Sequence, residues 1–137
     1  MMETITASLS GLAWFLAYLG TSLVLTLVYV VIYIWVTPHP EIKLIRENNV
    51  AAALAFGGSL LGFSLPLANT ISSSISLMDS AAWGAIAIVV QVFVYFLVRL
   101  PMPGISDRIE RGEIASGVWL GAASLAGGLL NAACMTY

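Results

Sequence analysis

The sequence predicts an all-α membrane protein: four transmembrane helices forming two parallel two-helix repeats, joined by short cytoplasmic interfacial helices. Three observations carry this. First, 60% of the 137 residues are hydrophobic and only 9% charged, where a soluble domain carries about 25% charged residues. Second, the charges cluster and leave four uncharged stretches, 9–36, 50–71, 80–98 and 114–135. Each can cross about 30 Å of hydrocarbon, which takes about 20 helical residues. Third, the chain resembles itself at an offset of 64 residues, Ile45 lying over Ile109. Barrel strands would alternate with period two, and nothing here does. Residues 1–137 therefore read as a single integral membrane domain, with repeat one at about 9–72 and repeat two at about 80–135.

Composition also excludes functions. A mean hydropathy of +0.97 is too high for disorder. Five Lys+Arg against seven Asp+Glu leave a net charge of −2, so there is no basic footprint for nucleic acid. One cysteine, Cys134, precludes an intrachain disulfide framework, and one histidine, His39, precludes paired-His metal motifs. No cofactor or metal is expected.

The first span follows Met1-Met2-Glu3 without a basic n-region. Its 28 apolar residues, 9–36, exceed a signal h-region of about 7–15, so the span is expected to be retained. At about 1.5 Å per residue it reaches about 42 Å. It must tilt, protrude or break, and Gly20-Thr21-Ser22 is the weak point. Pro38 and Pro40 end it, because proline cannot continue a helix. A short charged segment follows, with Ile42 and Ile45 at helical spacing, as in an interfacial helix. The second span contains Gly58-x-x-x-Gly62 and then Pro66, which frees the Gly62 carbonyl. Asp79 is placed to cap the third span. Pro101 and Pro103 repeat the break, and Ile105 and Ile109 repeat the apolar spacing. The fourth span contains Gly117-x-x-x-Gly121, then Ser124, Gly128 and Ala132.

All five basic residues lie in 38–49 and 99–113. The positive-inside rule puts those loops in the cytoplasm and both termini outside. Trp14 and Trp35, Trp83, and Trp119 with Tyr137 are placed as interfacial anchors. Two units of two spans each enter from the same side, so their axis lies along the membrane normal, unlike inverted repeats.

Small residues one turn apart suggest a close helix seam, since lipid leaves dispersion to drive association. Gly58, Gly62, Gly117 and Gly121 are its members, and Gly57 joins them as the counterpart of Gly121. Ser59, Ser64, Asn69 and Thr70 on the second span, Gln91 on the third and Ser124 and Asn131 on the fourth are uncharged intramembrane polar groups, of which Ser64, Asn69, Gln91 and Asn131 are the site candidates; they serve as interhelical glue or line a polar vestibule, and Asn69 and Asn131 lie at matching depth. No carboxylate lies inside a span, so the embedded acid of a proton-coupled exporter is missing. No nucleophile in the membrane has a base, and the chain is not expected to be an enzyme.

The segments Thr37–Ala53, Gly57–Phe63 and Leu129–Tyr137 resemble the YjfL family of uncharacterised bacterial inner-membrane proteins, over essentially the whole chain. Family loops often read Glu-Gly-Asn-x-Ala; here Asn48 takes the glycine position, and asparagine tolerates left-handed geometry. The resemblance implies a bacterial inner-membrane address. Through genes for phage-shock-protein-A-like membrane-stress factors near those of family members, it also implies a role in envelope maintenance.

Two functions compete. One is a non-catalytic component docking a peripheral cytoplasmic membrane-stress protein through Lys43, Arg46, Arg108 and Arg111. The other is an oligomeric pore or small-solute carrier built around Ser64, Asn69, Gln91 and Asn131. Expected partners are the lipid bilayer, a peripheral protein and further copies of the chain.

Overall fold

The computed structural model describes residues 1–135, so the anchor expected at Tyr137 lies outside the described residues. Four long helices are apolar and long enough to span a membrane: α1 (Met2–Val36), α3 (Val50–Ser73), α4 (Leu77–Arg99) and α6 (Ile114–Cys134). Two six-residue helices, α2 (Glu41–Arg46) and α5 (Ile105–Glu110), precede α3 and α6.

The two short helices end alike. The amide of Asn49 donates to the Leu44 carbonyl and that of Asn48 to Ile45. Sixty-four residues on, Glu113 donates to Arg108 and Gly112 to Ile109. Each set is a Schellman ending, which needs a left-handed residue. Asn48 (φ 65°) and Gly112 (φ 81°) supply it.

The seam between α3 and α6 is the tightest contact in the bundle. The helices run parallel: Gly117 lies on Ala51, Gly121 on Leu54, Gly58 on Gly121, and Gly128 on Gly62. A side chain at any of these four glycines would strike backbone of the facing helix. Pro66 has no amide to offer the Gly62 carbonyl, and that carbonyl faces Gly128 instead. Gly57 corrects the expectation: a Cβ there meets nothing within 4 Å inside the chain.

The physical reason is a change of face. Contacting pairs such as Ala51 with Gly117 and Ala55 with Gly121 differ by 66 residues, whereas the turns repeat at 64. Two residues rotate a helix face by about 200°. α3 and α6 thus meet through different faces, and the counterpart of Gly121 points away.

α1 remains one helix through Gly20; Thr21 and Ser22 donate to the Ala17 and Tyr18 carbonyls at 2.8 and 2.6 Å. The weak point does not break because those hydroxyls are satisfied within the helix. At about 1.5 Å per residue, its 35 residues reach about 52 Å. Its attachment is aromatic: Tyr29 stacks on Phe63 at 4.5 Å, and Tyr33 meets Phe56 and Tyr95 edge-on at 5.5 Å. Leu25 packs beside Gly84 of α4. Trp14 and Trp35 point outward.

At the start of α4, Ser76 is the cap, its Oγ accepting from the Asp79 amide at 3.1 Å. Asp79, expected as the cap, instead accepts from the Ile75 amide at 3.3 Å. This resembles a capping box, but the acid three residues inside reaches the amide before the cap and not that of Ser76 itself.

Candidate functional site

The charged end of the bundle is built from α2, α5 and the turns after them. Asn49 joins the two units: its Oδ1 accepts from the Ala52 amide at 2.9 Å, capping α3, while its Nδ2 donates to the Ile109 carbonyl at 2.9 Å. Between the turns lies a polar cleft of about 360 Å³, lined by Glu47, Asn48, Glu110, Arg111 and Gly112 among others. Arg111 lines it; Lys43 and Arg46 of α2 and Arg111 are exposed, and Arg108 of α5 is half-exposed. Arg108 and Arg111 lie 4.0 and 3.9 Å from Glu113, loose surface pairs of little energetic weight.

The expected intramembrane polar residues do not share a face. Gln91 is 1% exposed and donates to the Ser124 carbonyl at 2.9 Å, tying α4 to α6. Gly62 makes room for it, since a side chain there would meet Gln91 Nε2. Asn69 donates to the Ala132 carbonyl at 2.9 Å and to Met135 at 3.3 Å, closing the end of α6, and makes no bond to Asn131. Asn131 is buried, and its Nδ2 has no partner among the described residues. Ser64 points outward and donates to its own helix at Leu61. Trp119 Nε1 donates to the Val98 carbonyl at 3.1 Å, bracing α6 against α4.

A second site escaped the sequence reading. At the corner between α1 and α2, Glu41 and His39 are both fully enclosed, with His39 Nε2 3.2 Å from Glu41 Oε1. Tyr33 of α1, Tyr95 of α4 and Ser106 of α5 are buried with them, the Tyr95 hydroxyl beside Ser106 and that of Tyr33 beside Ser59. Arg99 lies 5.5 Å from the Tyr95 ring. Burial pushes the Glu41 carboxyl up to about 7. The nearby Thr37 hydroxyl, which gives its proton to the Tyr33 carbonyl at 2.8 Å, offsets this only slightly. Burial, with the Arg99 charge adding, pushes His39 down to about 4.

Glu41 was missed because an acid beside Lys43 and Arg46 in a connecting loop reads as solvated. The inward face of α2 is Glu41 and Leu44; Ile42, expected with Ile45 on the apolar face of an interfacial helix, is exposed, and Ile45 is half-buried. The repeat held the signal. Glu41 lies 64 residues before Ile105, an apolar residue that is 1% exposed.

Fold and site together define a multi-pass α-helical membrane protein whose long helices meet at a glycine seam. Residues 7–135 match the DUF350 family, a domain of unknown function, and the chain belongs to that family. It is 44% identical to the UPF0719 inner membrane protein YjfL of Escherichia coli K12 over 129 residues, covering 94% of this chain and 98% of that one. It is 27% identical to the UPF0719 transmembrane protein YshE of Bacillus subtilis 168 over 103 residues, 74% of this chain and 77% of that one. No solved structure matches. The four apolar helices and the inner-membrane relative give the address as multi-pass inner membrane.

Proposed function

We propose that the chain is a non-catalytic envelope component that recruits a peripheral cytoplasmic protein through its two basic turns, with both termini periplasmic. The observation that carries this reading is the pairing of the turns. Asn49 holds them side by side, and the cleft between them is polar and lined by Glu47, Glu110 and Arg111, while Lys43, Arg46 and Arg108 belong to the two short helices that lead into it. Both signs of charge are present, which suits a protein surface better than anionic lipid, whose capture takes a polybasic cluster. A phage-shock-protein-A-like membrane-stress factor is the partner of choice. The carrier reading has less support, because Gln91 and Asn69 are already engaged in joining helices.

The test is co-sedimentation of a purified phage-shock-protein-A-like protein with uncharged liposomes containing the chain. Binding should disappear on charge reversal at all four basic residues. Those residues also carry the orientation signal, so reporter fusions after the last helix and near Arg46 must first show unchanged topology. Retained binding with unchanged topology removes the proposal. Solute leakage without binding would favour the carrier.

A further inference from the structure

We propose that the pocket at the α1–α2 corner is a proton-binding site, the proton held between Glu41 and His39, and that its presence keeps α2 docked on the bundle. The proposal is independent of what docks on the outer surface.

The walls of the pocket limit its charge states. Tyr33 faces it from α1, Tyr95 and Arg99 from α4, and Ser106 from α5. α3, which also packs on α2, carries no titratable residue. The charges of α5 itself, Asp107, Arg108 and Glu110, are exposed or half-exposed. Among the described residues no cation therefore lies in contact with the Glu41 carboxylate; the donors near it are its own amide and the Thr37 hydroxyl, which is already given to the Tyr33 carbonyl.

A carboxylate beside a neutral imidazole would be a bare buried anion, the costliest state. A carboxylate beside an imidazolium would be two desolvated charges, with Arg99 repelling the cation. A carboxylic acid beside a neutral imidazole has no net charge. Its O–H donates across the 3.2 Å to Nε2, which gives each group one hydrogen bond and leaves only uncharged polar atoms, Nδ1 and the second carboxyl oxygen, without a partner among the described residues. Burial drives both groups toward this form, raising Glu41 to about 7 and lowering His39 to about 4.

α2 cannot hold itself, since six residues are too few for an independent helix. Glu41 and Leu44 are its buried anchors. When Glu41 loses its proton the carboxylate must reach water, and α2 is the element that can swing to let it. The native state of Glu41 binds its proton more tightly than the ordinary value of 4.5, so its share of stability falls as pH rises from 4.5 to about 7. His39 acts oppositely, its share rising with pH between about 4 and 6.5. The two nearly cancel below 6.5, leaving a net loss between 6.5 and about 7.

Infrared spectroscopy of the full chain in bilayers tests the site directly. At about pH 6 the exposed carboxyls are ionised, so a carboxylic C=O band reports a buried acid. The wild type should show that band, lost with a midpoint near 7, and Glu41→Gln should lack it. His39→Gln should move the midpoint, because the acceptor for the acid proton changes. Absence of the band in the wild type, or its persistence in Glu41→Gln, overturns the site. The wild-type titration decides this even if a variant fails to fold. Hydrogen exchange at the amides of α2, corrected for the intrinsic pH effect, should rise several-fold from about pH 6 to about pH 8. No rise in the wild type, or the same rise in Glu41→Gln, overturns the coupling to α2.

Discussion

Residues 40–50 and 104–114 fold the same way twice and do different chemistry. Both form a six-residue helix that ends in a left-handed residue and turns into a long helix. The same inward position is filled by Glu41 in the first and Ile105 in the second, and neither is accessible. The first turn has His39 beside its acid; the second has Pro103 at the corresponding place. One backbone thus supports either an aliphatic plug or an ionisable centre, because Schellman hydrogen bonds do not depend on the inward side chain. The long helices that follow diverge in another way. Gly121 is pressed against Leu54, while its counterpart Gly57 is open. Local structure repeats with the sequence pattern; packing does not.

The strongest way to break this comparison is at the seam. Gly121→Leu or Gly117→Leu forces a side chain into backbone, and should lower bundle stability by about 3 kcal/mol or more. Gly57→Leu should stay within about 0.5 kcal/mol. Unfolding by a denaturing detergent, followed by tryptophan fluorescence, measures both. If Gly57→Leu is as disruptive as Gly121→Leu, a partner outside the chain covers that face.

Exchanging the inward residues comes next. Ile105→Glu buries an acid with no histidine beside it and should cost roughly 3 kcal/mol near neutral pH. Glu41→Ile removes the acid but leaves His39 Nε2 without its donor, so the apolar gain and the lost hydrogen bond nearly offset and stability should change by less than about 1 kcal/mol. It should also abolish the loss of thermal stability as pH rises through about 7. Strong destabilisation by Glu41→Ile would mean that the acid is held by a partner besides His39.

Asn49→Ala removes a cap and the tie between the turns, and should cost about 1–2 kcal/mol. Glu113→Ala, at the matching position, makes no capping bond and should cost less than about 0.5 kcal/mol. The smallest contrast is at the left-handed residues. Asn48→Gly should change thermal stability by less than about 1 kcal/mol, whereas Gly112→Ala should cost about 1–2 kcal/mol. Equal effects at 48 and 112 would show that the two turns are not under the same backbone constraint.

The membrane class, the four spans and the breaks between them were legible in the sequence. They depend on runs of apolar residues, on Pro38, Pro40, Pro101 and Pro103, and on one-dimensional length against the thickness of hydrocarbon. The left-handed turn at Asn48 was legible for the same reason: it is local. Which glycines meet was legible only in part, because Gly57 and Gly58 differ by about 100° around α3 and no pattern within one helix says which side its neighbour occupies. The buried acid was decided by tertiary structure alone. Glu41 sits among charges along the chain, and only the closing of α1, α4 and α5 over the corner removes its water and raises its proton affinity. Sequence carries hydrophobicity and backbone preference residue by residue; desolvation is a property of what several elements enclose together.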